Sequence, residues 1–399
     1  MLPGPLRRAL PLWAALVAVY ALTLAVPGHA TTRPEAHRLL AVDALVAHGS
    51  IDVRRSYASG AWRDFYDGEL PRPSDAPAVG RWLEPVGLGF VVAVAPAYWI
   101  GGELAVRIFL LMIFALGFCL AAALGRRLVP EPWATRAALV LGLSPPAVGA
   151  ATAIAPATLG ATCLAGAALL ALAVREEPRQ RTAFLGAALV AALPWLATEL
   201  LAPAAVVALA LARWLRRRQR GLAGFLALEV VLTSAVVYVT ISDRLFGGLT
   251  PNDVAAGGAT GATGVVAHLE RAGRLGTAWV SDQGLLLWAP VTALAGVALW
   301  RLWRSRRERL SVAVFDQGDV EVAALFYALI VVAIWLTAVF AAPSLDGAGR
   351  AWAHARHLVP ALGPLAALVA WGWRFAPRTG TALAAVTVAA SVALLAAHA

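Results

Sequence analysis

Apolar runs of helical length alternate along this chain with clusters of arginine: Arg7-Arg8, Arg126-Arg127, Arg175 to Arg181, Arg213 to Arg220, Arg301 to Arg309 and Arg374 to Arg378. Each run approaches the ~20 residues that a bilayer core demands. Between successive clusters the chain has apolar length for two crossings, so every cluster can sit on the cytoplasmic side, as the positive-inside rule requires. Most acids and histidines then fall on the other face. The pattern specifies an all-α polytopic membrane protein whose chemistry faces outward.

Composition agrees. The chain is 60% hydrophobic and 14% charged, against about 45–50% and 25% in soluble domains. The net charge of +10 does not signal nucleic acid, because each basic cluster is short and flanks an apolar span. Cys119 and Cys163 both lie inside apolar runs and read as packing thiols, which behave as small hydrophobes, rather than a disulfide framework. The first thirty residues have the outline of a signal peptide, ending in Gly28-His29-Ala30. Their apolar stretch is nearly full length, and they read instead as an uncleaved first span.

The pattern predicts about eleven spans in one integral membrane domain, residues 1–399: near 9–27, 104–125, 135–150, 157–174, 183–198, 199–213, 221–241, 284–303, 321–341, 355–374 and 378–397. The turn between Pro194 and Pro203 is the least defined boundary. Residues 28–103 form a long first outer loop and 242–283 a second. Within the first, Leu39, Leu40, Val42, Leu45 and Val46 are spaced to give residues 35–48 one apolar helical face along the membrane surface. Residues 86–100 are apolar but short and contain Pro96. If they crossed, every later arginine cluster would change sides, so they read as a re-entrant or interfacial helix.

The outer loop begins Arg33-Pro34-Glu35-Ala36-His37-Arg38-Leu39-Leu40 and continues through Gly49, Asp52-Val53-Arg54 and Tyr57. Glu35, His37, Leu39, Leu40, Gly49, Asp52 and Tyr57 resemble the stretch that follows the first span in bacterial GT-C glycosyltransferases, relatives of protein O-mannosyltransferases and aminoarabinose transferases. Gly87-Leu88, Ala95-Pro96-Ala97-Tyr98 and Gly101-Gly102 resemble that family's interfacial helix and its terminal glycine turn. Arg107, Ser144-Pro145-Pro146, Asp282 to Pro290 and Ala355-Arg356-His357-Leu358-Val359-Pro360 continue the likeness over most of the chain. Two positions depart from the family pattern. Its first acid falls at Pro34, and its second-loop acid is absent from Ile154-Ala155-Pro156-Ala157.

The resemblance implies transfer of a sugar from a polyprenyl-phosphate donor to an envelope glycan, lipid or protein on the outer face of the cytoplasmic membrane. Such a reaction uses a base for the acceptor hydroxyl and a guanidinium for the leaving phosphate. Glu35 suits the first role and Arg356 the second. His37, Asp52, Arg54, Tyr57, Arg107 and His357 complete the expected substrate-binding set, and Glu35, Asp52 and Arg356 are expected to border one outward-facing cavity. His354 and His357 could share a helical face, but no third ligand accompanies them, so no metal or other cofactor is expected. Two other readings fit the same chain. One is a non-catalytic, lipid-binding or scaffolding member of the cell envelope. The other is a transporter, for which Glu199 between Pro194 and Pro203 is the ionisable candidate.

Overall fold

The computed structural model describes residues 4–25, 30–73, 80–217, 221–248, 271–282, 284–308, 317–341 and 355–398. These residues form helices and connecting loops, with no β-strand among them. Helix α1 (Gly4–Leu24) belongs to the core. Leu16 and Tyr20 are fully buried, and the Tyr20 hydroxyl donates to Gly142 O at 2.7 Å. Helix α2 (Arg33–His48) follows where the apolar spacing places it, and α3 (Arg54–Ser59) lies beyond it.

Helix α4 (Leu88–Gly125) runs for 38 residues, broken at Gly101 (φ −160°, ψ 32°) and Gly102 (φ 60°, ψ −145°). Gly102 takes a left-handed φ that costs other residues steric strain. The portion before the break, at 1.5 Å per residue, is only about 20 Å long, short of a ~30 Å bilayer core. The expected short helix, glycine turn and following span are therefore all present. The start of α4 is pressed against the end of α8 (Gln180–Leu196): a Cβ on Gly87 would lie 2.3 Å from Leu196 O. Only a residue without a side chain permits that approach.

The expected span at 135–150 is built as two pieces, α5 (Trp133–Gly142) and α6 (Pro145–Ala151). Ser144 is extended (φ −70°, ψ 152°) ahead of Pro145, because a residue before proline is driven out of the helical region. Then come α7 (Pro156–Glu176), α8, α9 (Leu201–Arg217) and α10 (Gly221–Phe246). The short α11 (Thr277–Val280) and α12 (Leu285–Trp288) lead to α13 (Ala293–Glu308), α14 (Gln317–Ala341), α15 (Leu362–Phe375) and α16 (Pro377–His398).

Among the described residues, seven helices are long and apolar enough to cross a membrane, or eight if a bent pair around Pro290 counts as one span. This is a multi-pass membrane protein, but the expected count of eleven is not reached on those criteria. The other three expected spans correspond to α1, counted by its apolar part Ala9–Leu24, the broken α5–α6 pair and α8, which fall short of the length criterion. Helices α4, α7 and α15 pack together at the centre, while α10 and α16 show mostly apolar surface outward.

Candidate functional site

Thr32, Pro34 and Glu35 start α2. Thr32 is extended at the N-cap, proline occupies the first turn, and Glu35 stands at the third position of a capping box. Glu35 Oε2 accepts the Thr32 N–H at 2.9 Å and the Thr32 hydroxyl at 3.0 Å. Its other oxygen accepts the Ile154 N–H at 2.8 Å and lies 3.7 Å from Arg107 Nη1. The side chain is 3% exposed. One turn further on, Arg38 Nη1 donates to Ile154 O at 2.8 Å. Both backbone polar groups of Ile154 are thus held by one face of α2.

Arg107, placed just beyond the glycine break, reinforces the same junction. It donates to Glu103 Oε1 through Nε (2.8 Å) and Nη2 (2.6 Å), to Thr152 O through Nη1 (2.5 Å) and to the Thr31 hydroxyl (3.2 Å). At 4% exposed it is sealed into this network.

A second cluster lies in the first loop. Glu84 accepts the Tyr57 hydroxyl at 2.9 Å and faces His37 Nδ1 at 3.0 Å. Tyr57 also donates to Pro71 O at 3.0 Å. Burial, and then the adjacent Glu84 charge, push the Tyr57 phenol well above its ordinary range, so it keeps its proton. Asp52 Oδ1 accepts the Arg54 N–H at 3.2 Å and the Trp82 N–H at 3.3 Å, and Arg54 lies over the Trp82 ring. These contacts shape the loop.

A third group gathers around the turn between α8 and α9. A small recess there is lined by Glu199, Leu200, Ile334, Thr337, Ala338, His357 and Pro360. Glu199 stands on a 3-10 turn, Thr198–Leu200. Arg356 opens a second 3-10 segment, Arg356–Ala361, and donates through Nε to His357 Nε2 at 3.3 Å. Ala355 before it has φ 51°, a left-handed conformation uncommon for a residue with a Cβ. Arg38 on α2 lies within electrostatic range of this group. Burial and the Arg356 charge lower its pKa, while Glu35 and Glu199 oppose the shift. Glu199 itself makes no hydrogen bond or ion pair with the described residues.

The expected residues therefore fall into pairs: Glu35 with Arg107, His37 with Tyr57 through Glu84, Asp52 with Arg54, and Arg356 with His357. None of Glu35, Asp52 and Arg356 lines this recess, although Arg356 adjoins His357, which does. The expected set lacked Arg38, whose signal was its position one turn after Glu35. It also lacked Glu199, which had stood out only as an ionisable residue between prolines. His354 lies outside the described residues, as does most of the second outer loop. Among the described residues, no three of His, Cys, Asp and Glu converge as a metal would need.

No family model and no curated protein matches the chain. Solved structures do. Arabinosyltransferase EmbB from Mycobacterium smegmatis superimposes with a TM-score of 0.52 at 17% identity, over 93% of this chain and 31% of that one. ArnT from Cupriavidus metallidurans gives 0.47 at 16% identity, over 92% and 60%. The archaeal oligosaccharyltransferase AglB from Archaeoglobus fulgidus, in complex with an inhibitory peptide and a dolichol-phosphate, gives 0.48 at 12% identity, over 97% and 56%. The chain thus spans between 31% and 60% of the length of these proteins. The EmbB likeness shows a shared fold.

Proposed function

We propose that the protein is a glycosyltransferase that moves a sugar from a polyprenyl-phosphate donor to an envelope acceptor. It would work at the outer face of the cytoplasmic membrane, with its N-terminus inside. The observation that carries this reading is a small recess lined by Glu199 and His357, with Arg356 next in sequence to His357 and bonded to it and Arg38 within electrostatic range. Two guanidinium groups from separate elements suit a phosphate whose lipid tail stays in the bilayer, since their forked donors match its oxygens. His357 lines the same recess. In this reading Arg107 and Glu35 hold the frame, while His37, Tyr57, Asp52 and Arg54 build the loop that covers it.

The test is transfer of radiolabelled sugar from synthetic polyprenyl-phospho-mannose, -glucose and -arabinose to envelope fractions by the protein in proteoliposomes. Transfer that falls in Arg38→Lys and Arg356→Lys supports the reading. A non-catalytic, lipid-phosphate-binding member is the second reading, favoured by Pro34 at the family's acid position and by the sealed Glu35. It predicts binding of polyprenyl phosphate with no transfer from any of the three donors.

A further inference from the structure

A transferase on this scaffold needs a proton acceptor, and among the described residues no first-loop acid lines the recess, while three carboxylates of that loop are already bonded. Glu35 is committed to Thr32, Ile154 and Arg107. Glu84 is committed to Tyr57 and His37, with its side chain 1% exposed. Asp52 is committed to the Arg54 and Trp82 amides. To serve as a base, any of them would have to break bonds that hold the loop.

Glu199 differs on each count. It is exposed, accepts no hydrogen bond from the described residues and borders the recess. It also stands close enough to Arg38 for its charge to be felt there, as Arg356 is. We infer that Glu199 is the catalytic base of this chain, in the role that sequence alone gave to Glu35. The inference rests on the transferase reading above.

The step balances without any further reactant. The acceptor hydroxyl oxygen forms a bond to the anomeric carbon. The bond from that carbon to the phosphate oxygen breaks, and the phosphate leaves with the electron pair, its charge met by Arg38 and Arg356. The hydroxyl proton passes to a Glu199 carboxylate oxygen and from there to water. A base on the recess with Arg356 beside it and Arg38 in electrostatic range lets base and phosphate arms approach a single carbon. A carboxylate in a base's position should be bare and reachable, whereas a structural carboxylate is saturated with donors. By that criterion the two glutamates have exchanged the roles their sequence positions suggest.

The experiment compares wild type, Glu199→Gln, Glu199→Asp and Glu35→Gln in proteoliposomes. Transfer is measured from the same three polyprenyl-phospho-sugars across a range of pH, and binding of polyprenyl phosphate is measured separately. Glu199→Gln is expected to lose about 10²–10⁴-fold in kcat, with an unchanged Kd for polyprenyl phosphate and no acid limb in its residual rate. Glu199→Asp is expected to recover part of the rate, with the acid limb present. Transfer by Glu199→Gln at the wild-type kcat would overturn the inference while leaving the transferase reading standing. So would an unchanged kcat with weakened phosphate binding, which would make Glu199 a positioning residue. A wild type that binds polyprenyl phosphate but transfers none of the three sugars would overturn the transferase reading, and the inference with it.

Discussion

Glu35 Oε1 accepts the Ile154 N–H at 2.8 Å, fastening the first loop to a backbone amide 119 positions later. Arg38, one turn along the same helix, takes the carbonyl of that residue. The pair makes α2 and the α6–α7 loop one unit, and it fixes Arg38 within electrostatic range of Glu199 and Arg356.

Glu35→Gln is therefore expected to cost stability. Glu35 accepts from donors on both oxygens, so the glutamine NH₂ group must face an N–H or a hydroxyl. Leaving buried partners unsatisfied costs about 1–3 kcal/mol. The variant should melt at a lower temperature in detergent and bind polyprenyl phosphate more weakly, because Arg38 loses its brace. An unchanged melting temperature would contradict the strut.

Arg107→Met should be more severe. It removes the guanidinium that faces Glu103 and Glu35 and grips Thr152 O. Breaking a buried pair from one side typically costs about 3–5 kcal/mol. Denaturant or thermal unfolding of the purified protein reads this directly, and a loss below 1 kcal/mol would show that the network is not what holds the junction.

Replacing Arg356 by lysine keeps the charge but loses the fork. Affinity for polyprenyl phosphate should fall about tenfold, while the melting temperature stays near wild type. Equal affinity would place the phosphate elsewhere.

Gly87→Ala tests how the turn carrying Glu199 is held. Its Cβ would meet Leu196 O and Trp195 O, and overpacking of this kind costs about 1–3 kcal/mol. The end of α8 must move to make room, so transfer should suffer beyond the stability loss. Normal activity in a folded Gly87→Ala protein would show that the turn tolerates the displacement.

Topology can be read with single cysteines introduced at Gly101 and at Arg126, after Cys119 and Cys163 are replaced by alanine. Position 101 should label only from outside the cytoplasm and position 126 only from within. The reverse pattern would invert the arginine argument.

The helical membrane architecture was legible because span length and arginine placement are direct consequences of bilayer physics. Helix α2 was legible for a local reason: its apolar spacing and the glutamate at its start are properties of a few adjacent residues. The glycine break in α4 was legible as Gly101-Gly102. The site was harder to read. Arg38 on a surface helix looks like any solvated arginine until the helix is docked. Glu199 sits in a turn whose only sequence mark is a pair of prolines. Ile154 gave no signal, because what matters there is its peptide groups. The place of Glu35 in a motif gave no sign of the bonds around it, which tie that carboxylate to Thr32, Ile154 and Arg107.

The α6–α7 loop is gripped through the amide and carbonyl of Ile154 and the carbonyl of Thr152, all main-chain atoms common to every residue type but proline, which lacks the amide hydrogen. Such a grip is blind to side chains. The loop can lose an acid, as Ile154-Ala155-Pro156-Ala157 has relative to the GT-C pattern, without loosening its attachment to α2. Mutational drift in this stretch is therefore uncoupled from the architecture, with one sharp exception: proline at position 154 would delete the amide that Glu35 holds.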